Sequence, residues 1–133
     1  MSKSKQIAFV CLHGSAKSLM AAEYLNRRAA EQGVPLRAFS AGVEPDPGIP
    51  KHVVAGLHGK GVEVAGRVPA AATAERVGSA DRVVAFGCDL GGALKPGQQI
   101  EQWADCPAVS DGFDPAWQYI TRRVDELIAA EAK

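Results

Sequence analysis

The stretch FVCLHGSAKSLMAAEYL, residues 9–25, runs from an apolar segment through a turn of small residues into a helical pattern. The apolar segment contains β-branched and aromatic residues, which is typical of a short buried strand, and we predict a strand over residues 6–12. Leucine and alanine then recur at three- and four-residue steps until Gly33, which predicts a helix over residues 18–33. A buried strand followed at once by a helix is the repeating unit of an α/β protein.

The rest of the chain repeats this alternation. We predict further strands over residues 36–42, 82–88 and 98–104, and further helices that start near residues 50 and 114. Strands that are separated by helices pair in parallel through right-handed crossovers. At 133 residues the chain has the usual length of one domain. The sequence therefore predicts an α/β fold: a single three-layer domain over residues 1–133, with a four-stranded parallel sheet and helices on both faces.

The overall composition excludes several classes of function. Fifteen basic residues balance fifteen acidic ones, so no global charge favours nucleic acid or an anionic membrane as a partner. The apolar run at residues 7–12 is too short for a signal sequence or a membrane span, and we expect a cytoplasmic protein. Three cysteines cannot form a closed set of disulfides, and their spacing matches no zinc site.

Cys11 lies at the predicted carboxyl end of the first strand, which is where parallel sheets bind ligands. The small residues that follow it allow backbone N–H groups to turn inward and form an anion cradle with the helix start. The positive end of the helix and Lys17 favour a thiolate at Cys11, and Ser18 can hydrogen-bond to the sulfur. The alternative is that Cys11 is only a small buried residue at the end of a strand.

The motif CLHGSAKS resembles the phosphate loop of the low-molecular-weight protein tyrosine phosphatases and of the related thiol-coupled arsenate reductases. The segments SAG, GVEVAGRVP, ADRVVAFGC and a late Asp-Pro pair follow in the order of that family, so the resemblance covers nearly the whole chain. It implies the low-molecular-weight phosphatase fold, a covalent cysteinyl-oxyanion intermediate, and no metal or organic cofactor.

The resemblance also assigns roles to individual residues of the loop. Cys11 corresponds to the nucleophile, and Ser18 to the residue that stabilises its thiolate. Lys17 stands where the family has arginine, and lysine offers one compact charge in place of a planar fork. We therefore expect an impaired or differently tuned site. The residues that correspond to the oxyanion cradle are Leu12, His13, Gly14, Ser15, Ala16, Lys17 and Ser18.

Three further residues have both a chemical and a structural interpretation. Asp114, followed by proline, corresponds to the family's general acid, but aspartate and proline are also a common helix start; Asp111 is the alternative acid. Cys88 matches a second redox cysteine of the arsenate reductases, or is a buried thiol at a strand end. Cys106 lies too far along the chain to match the third cysteine of the thioredoxin-linked members, and we interpret it as structural.

Three hypotheses follow from these observations. The first is arsenate reduction through a Cys11 adduct and a Cys11–Cys88 disulfide, reset by a thioredoxin-like or small-thiol reductant. The second is hydrolysis of phosphotyrosine or of a small phosphate ester. The segment VEPDPGIP, which corresponds to a wall of the family's site, supplies no aromatic residue for phosphotyrosine; only Trp117 or Tyr119 could. The third is a non-catalytic module that binds phosphate, another oxyanion or a phosphoprotein.

Overall fold

The computed structural model contains one four-stranded sheet in which all pairings are parallel. β1 (Lys5–Cys11) lies between β2 (Leu36–Gly42) and β3 (Arg82–Ala85), and β4 (Ile100–Gln102) pairs with β3, in the order β2–β1–β3–β4. The prediction of a four-stranded parallel sheet is thus confirmed. Parallel pairing brings the carboxyl ends of β1, β2 and β3 to the same edge of the sheet.

The structure describes residues 4–90 and 97–132. Its four α-helices are α1 (Lys17–Gln32), α2 (Lys51–His58), α3 (Ala74–Gly78) and α4 (Phe113–Glu131). α1, α2 and α4 correspond to the three predicted helices, and α3 is an additional short helix. Within these described ranges, no helix is both long and apolar enough to cross a membrane.

Alternate residues of β1 are buried on opposite faces of the sheet. Phe9 and Cys11 belong to a large core cluster that includes residues of α1, α2 and α4. Ala8 and Val10 belong to a smaller cluster that includes Val77 of α3. Because successive side chains of a strand point to opposite faces, this alternation requires helices on both sides of the sheet. The three-layer arrangement is therefore confirmed.

Two elements differ from the sequence prediction. β3 ends at Ala85, three residues early, because the chain turns at Gly87, whose φ is +77°. α4 begins at Phe113, so Asp114 lies inside its first turn, and the position before the helix belongs to Gly112. The interpretation of Asp114 as a capping residue is wrong, since α4 has no side-chain hydrogen bond at its cap.

The edge of the sheet at β2 is covered by a side chain of α1. The backbone N–H of Ala38 donates to Oδ1 of Asn26 at 2.7 Å, and Nδ2 of Asn26 donates to the carbonyl oxygen of Ala38 at 3.0 Å. One amide side chain thus pairs with both outward-facing backbone groups of Ala38.

A group of ion pairs joins the first strand to the last helix. Glu131 of α4 lies 2.8 Å from Nζ of Lys5 in β1 and 3.0 Å from Nη1 of Arg82 in β3. Arg82 also lies 2.6 Å from Glu101 in β4. Four elements that are distant in sequence therefore meet around two charged side chains, Arg82 and Glu131.

Candidate active site

Residues 12–16 connect β1 to α1, and a close backbone contact determines their shape. Gly14 has a φ of +66°, a conformation that favours glycine. A Cβ atom on Gly14 would lie 2.6 Å from the backbone nitrogen of Gly42, and one on Gly42 would lie 2.5 Å from the carbonyl carbon of His13. The loop can therefore lie against the end of β2 because both contact positions are glycine.

Cys11 lies beneath this loop with two hydrogen-bonding partners. The residue is 8% exposed, and the N–H of Gly14 donates to Sγ at 3.2 Å. Oγ of Ser18, which is fully buried, lies 2.9 Å from the same sulfur. α1 begins at Lys17 without a side-chain cap, so the first N–H groups of the helix stay available to an anion. These groups are hydrogen-bonding partners for the sulfur and for a ligand above it.

Lys17 connects the loop to a distant segment. Its Nζ donates to the carbonyl oxygen of Cys106 at 3.3 Å, in the segment between β4 and α4. The half-buried ammonium therefore brings a positive charge to the site while one of its hydrogens is bound by the protein itself.

A cavity of about 300 Å³ opens above Cys11. Its walls come from the loop, the segment after β2, the start of α2, the end of β3 and the segment before α4. The lining residues are Cys11, Leu12, His13, Ser15, Ala16, Lys17, Asp46, Pro50, His52, Phe86, Ala108, Val109 and Ser110. The aromatic wall is Phe86, and neither Trp117 nor Tyr119 lines the cavity. Trp117 stacks on Phe113 instead, and Tyr119 donates to Asp105.

Cys88 lies near Cys11 but is half-buried against the other face of the sheet. Its Sγ donates to the carbonyl oxygen of Val10, the residue before Cys11, at 3.6 Å. The side chain packs at the margin of the smaller core cluster. Burial raises the pKa of the Cys88 thiol, and the negative charge of Cys11 raises it further. A charge on Cys11 therefore acts on the thiol of Cys88 across the end of β1.

Cys106 differs from Cys88 in its surroundings. The residue is 6% exposed, and its thiol donates to the carbonyl oxygen of Pro107 at 3.6 Å. Burial raises its pKa to about 11, even though Lys17 acts in the opposite direction. A thiol with this pKa is almost fully protonated at neutral pH and reacts slowly as a nucleophile.

The structure does not bring Asp114 to the cavity. Its side chain is 72% exposed and lies 3.5 Å from Nζ of Lys60. Asp111 is nearer, since it lines an adjoining cavity of about 420 Å³ that shares His52, Val109 and Ser110 with the cavity above Cys11.

Sequence reasoning missed Asp46 as a residue of the site. Oγ of Ser15 donates to its Oδ2 at 2.7 Å, and its Oδ1 lies 3.5 Å from Nδ1 of His13. The signal that could have identified it is position, because Asp46 follows the carboxyl end of β2 and such ends share one edge of a parallel sheet.

The part of the chain that the structure describes holds no group of three or more histidine, cysteine, aspartate or glutamate side chains that could bind a metal ion. The site as described is a buried cysteine below the loop of residues 12–16, with one lysine and one aspartate in its walls.

A comparison with protein families identifies the family of this chain. Residues 6–101 match the family of low molecular weight phosphotyrosine protein phosphatases, and the chain belongs to that family. No curated protein matches the sequence.

Several solved structures share the fold of this chain. YfkJ from Bacillus subtilis is 21% identical, with a TM-score of 0.83 over 97% of this chain and 95% of that chain. The low molecular weight protein tyrosine phosphatase of T. tengcongensis is 20% identical, with a TM-score of 0.81 over 96% and 99%. A thioredoxin-dependent arsenate reductase of Corynebacterium glutamicum is 25% identical, with a TM-score of 0.82 over 98% of this chain and 63% of that chain.

Proposed function

We propose that this protein reduces arsenate through a covalent adduct on Cys11 and a disulfide between Cys11 and Cys88. The observation that carries the proposal is the position of the Cys88 thiol, against the carbonyl of Val10 and within the electrostatic influence of Cys11. Hydrolysis of a phosphate ester needs one cysteine nucleophile, whereas reduction through an internal disulfide needs a second thiol nearby.

The proposed reaction has two chemical steps. The Cys11 thiolate forms a sulfur–arsenic bond, and one arsenic–oxygen bond breaks, so that an oxygen leaves as water. The Cys88 thiolate then attacks Sγ of Cys11 and the sulfur–arsenic bond breaks, with its electron pair passing to arsenic. Arsenic(V) becomes arsenite, and the two thiols are oxidised to one disulfide.

The loop supplies the charge stabilisation for the first step. The N–H of Gly14 and the hydroxyl of Ser18 are close enough to stabilise a thiolate on Cys11. The free N–H groups at the start of α1 bind the oxyanion above it, together with the charge of Lys17. The cradle of residues 12–18 thus holds arsenate, or the chemically similar phosphate.

The second step depends on which thiol can reach Cys11. The charge of Cys11 affects the pKa of the Cys88 thiol. The charges that affect the pKa of the Cys106 thiol are those of Lys17 and Asp105. We therefore assign the resolving role to Cys88 and a structural role to Cys106.

Completion of the cycle needs a partner that reduces the disulfide. A thioredoxin-like protein or a small thiol supplies this chemistry, and the C. glutamicum neighbour is described as thioredoxin-dependent. Such a cycle fits the cytoplasm, where free thiols are maintained. The site as proposed uses no cofactor.

A phosphatase activity is the second candidate, and the walls of the cavity favour it. Leu12, Pro50, Phe86 and Val109 are among the lining residues of a space of about 300 Å³, which lies at the lower end of the range for small-molecule sites. An inorganic oxyanion does not need such apolar walls, whereas the organic group of a phosphate ester would bury its surface against them.

Mass spectrometry of the reduced protein tests the proposal. The protein is incubated with arsenate without oxygen, alkylated and digested. We expect arsenate to consume two thiols and to produce a peptide pair linked through Cys11 and Cys88. Cys106→Ser, the matched control, should give the same pair, and Cys88→Ser should give none.

Three free thiols after incubation with arsenate would contradict the proposal. In that case p-nitrophenyl phosphate separates the alternatives. Turnover that survives Cys88→Ser would support the phosphatase. Phosphate binding that survives Cys11→Ser, without turnover in the wild type, would support a non-catalytic binding module.

A further inference from the structure

The segment of residues 43–46, which follows β2, lies along the loop of the anion cradle. Three of its backbone N–H groups donate to three successive carbonyl oxygens of the loop, at 3.2, 2.7 and 3.1 Å. The pairs are Val43 with Cys11, Glu44 with Leu12, and Asp46 with His13. In a trans peptide the carbonyl group and the next N–H point in opposite directions. The N–H groups of residues 12–14 therefore point away from this segment, and that of Gly14 points at Sγ of Cys11.

Ser15, the next residue of the cradle, is held in a different way. Within the described part of the chain, its backbone forms no hydrogen bond to another segment. Its side chain supplies the contact instead, because Oγ donates to Oδ2 of Asp46 at 2.7 Å. Ser15 is only 2% exposed, and a buried hydroxyl that loses its acceptor costs free energy. Without Asp46, the serine and its peptide groups would have to turn to find another partner.

Asp46 is an acceptor in each contact that its side chain makes. Ser15 donates to Oδ2, and Nδ1 of His13 lies 3.5 Å from Oδ1. The same Nδ1 lies 3.0 Å from the carbonyl oxygen of Glu44, which can only accept, so the proton of the ring is on this nitrogen. A negative charge near an anion site opposes the binding of the anion. The contribution of Asp46 to the site is therefore the place in which it holds its neighbours, and not its charge.

We propose that Asp46 is a positioning residue, which holds Ser15 and thereby keeps the N–H groups of the cradle directed at an oxyanion on Cys11. It completes along the second half of the loop what the backbone of residues 43–46 does along the first half. The inference rests on the proposed function in that the cradle must bind an oxyanion, and it holds for arsenate and for phosphate alike.

The experiment measures how well inorganic phosphate protects Cys11 from alkylation by iodoacetamide. The readout is the phosphate concentration that halves the alkylation rate of the Cys11 peptide, followed by mass spectrometry. Asp46→Ala should raise this concentration by about tenfold, because a cradle N–H that turns away loses a charge-assisted hydrogen bond to the anion. Glu44→Gln is the matched control, since it removes an exposed carboxylate from the same segment outside the cavity lining. We expect it to keep the wild-type concentration.

Asp46→Asn separates the hydrogen bond from the charge. The amide keeps an oxygen that accepts from Ser15, and it removes a charge that opposes the anion. Phosphate should therefore protect this variant at the wild-type concentration or below it. A loss of protection as large as that of Asp46→Ala would overturn the proposal, because an acceptor at this place would then not be what positions the loop.

A double-mutant cycle tests whether Asp46 acts through Ser15. Ser15→Ala should weaken protection by the same factor as Asp46→Ala, and the double variant should lose no more than either single one, because all three lack the same hydrogen bond. Losses that multiply in the double variant would overturn the proposal. Urea unfolding shows which variants are folded. If Asp46→Ala does not fold, weak protection in Ser15→Ala with normal protection in Asp46→Asn supports the proposal, and equal protection in the two overturns it.

A failure of the proposed function can be recognised separately, because the experiment needs no turnover. A wild type that forms no disulfide with arsenate, but that phosphate still protects, would contradict arsenate reduction alone, and the comparison of the variants would still decide the role of Asp46. A wild type that phosphate does not protect would overturn the role of Asp46, since the loop would then hold no oxyanion.

Discussion

Lys17 shows how a single side chain can change the character of an anion site. Its ammonium supplies one positive charge, and one of its hydrogens is donated to the carbonyl of Cys106. A guanidinium at the same place has five donors in a fixed fork, so it could keep this contact and still bind two oxygens of the ligand. The lysine thus conserves charge but gives up bidentate recognition.

We predict that Lys17→Arg raises kcat/KM by roughly tenfold. One additional charge-assisted hydrogen bond is worth about 1.5–3 kcal/mol, and the cost of ordering the longer side chain offsets part of this gain. Lys17→Gln, which removes the charge, should lower kcat/KM by at least about tenfold. Initial rates with the substrate that the wild type turns over measure both effects. A kcat/KM of Lys17→Arg below that of the wild type would contradict this prediction and would show that the site requires the smaller ammonium group.

At the scale of elements, the site depends on two segments that contact through glycine. The loop after β1 and the end of β2 come so close that no side chain fits between them. This contact holds the N–H of Gly14 against the sulfur of Cys11. The shape of the anion cradle is therefore determined partly by a strand that contributes no reactive group.

We predict that Gly42→Ala destabilises the protein by about 1–3 kcal/mol, because the new methyl group overlaps the backbone of the loop. It should also slow alkylation of Cys11 by iodoacetamide, since the loop has to move away from the sulfur. Gly48→Ala is the control, because a Cβ there meets no atom within 4 Å. Urea unfolding and alkylation rates measure both effects. Equal stability of the two variants would show that the close contact does not constrain the loop.

The sequence was sufficient to predict the bounds of those strands and helices that local residue patterns define. The bounds of β2 match the prediction, and the ends of α1 and β1 differ from it by one residue. The early end of β3 was not predictable in this way, because RVVAFGC stays apolar after the strand hydrogen bonds stop. Of the site, the sequence indicated Cys11 and its loop.

The rest of the site depends on contacts between distant parts of the chain. Asp46 and Ser15 are 31 residues apart, and Lys17 and Cys106 are 89 apart. Phe86 forms the aromatic wall, although the prediction named only Trp117 and Tyr119. No local pattern encodes these contacts, because they follow from the strand order and from the turns at the carboxyl edge.

At the scale of the whole molecule, Glu131 connects the last helix to two strands. The Lys5 ammonium and the Arg82 guanidinium hold the pKa of its carboxyl below the usual value of 4.5. A carboxyl group with a lowered pKa stabilises the folded state above its unfolded pKa. That contribution is lost as the pH falls through the folded value.

We predict that Glu131→Gln lowers the free energy of unfolding by about 0.5–1 kcal/mol at about pH 7, the scale of surface ion pairs, because Lys5 is exposed and screened by solvent. The difference from the wild type should shrink toward about pH 2, as the pH falls through the lowered pKa and the carboxyl group becomes protonated in both states. Glu126→Gln, on the same helix, is the control. Urea titrations at the two pH values measure the effect, and a difference that persists in acid would assign it to packing.

The amide of Asn26 protects one edge of the sheet from pairing with a strand of a second molecule. The edge of a parallel sheet offers a row of donors and acceptors that a strand of a second molecule can extend, which is one route to aggregation. Asn26 occupies both outward groups of Ala38 in the middle of β2, so a continuous ladder cannot form there. The opposite edge, at β4, has only three residues in the described part of the chain. A concentrated solution of this protein is thus protected from strand addition by one asparagine side chain at one edge and by the shortness of the strand at the other.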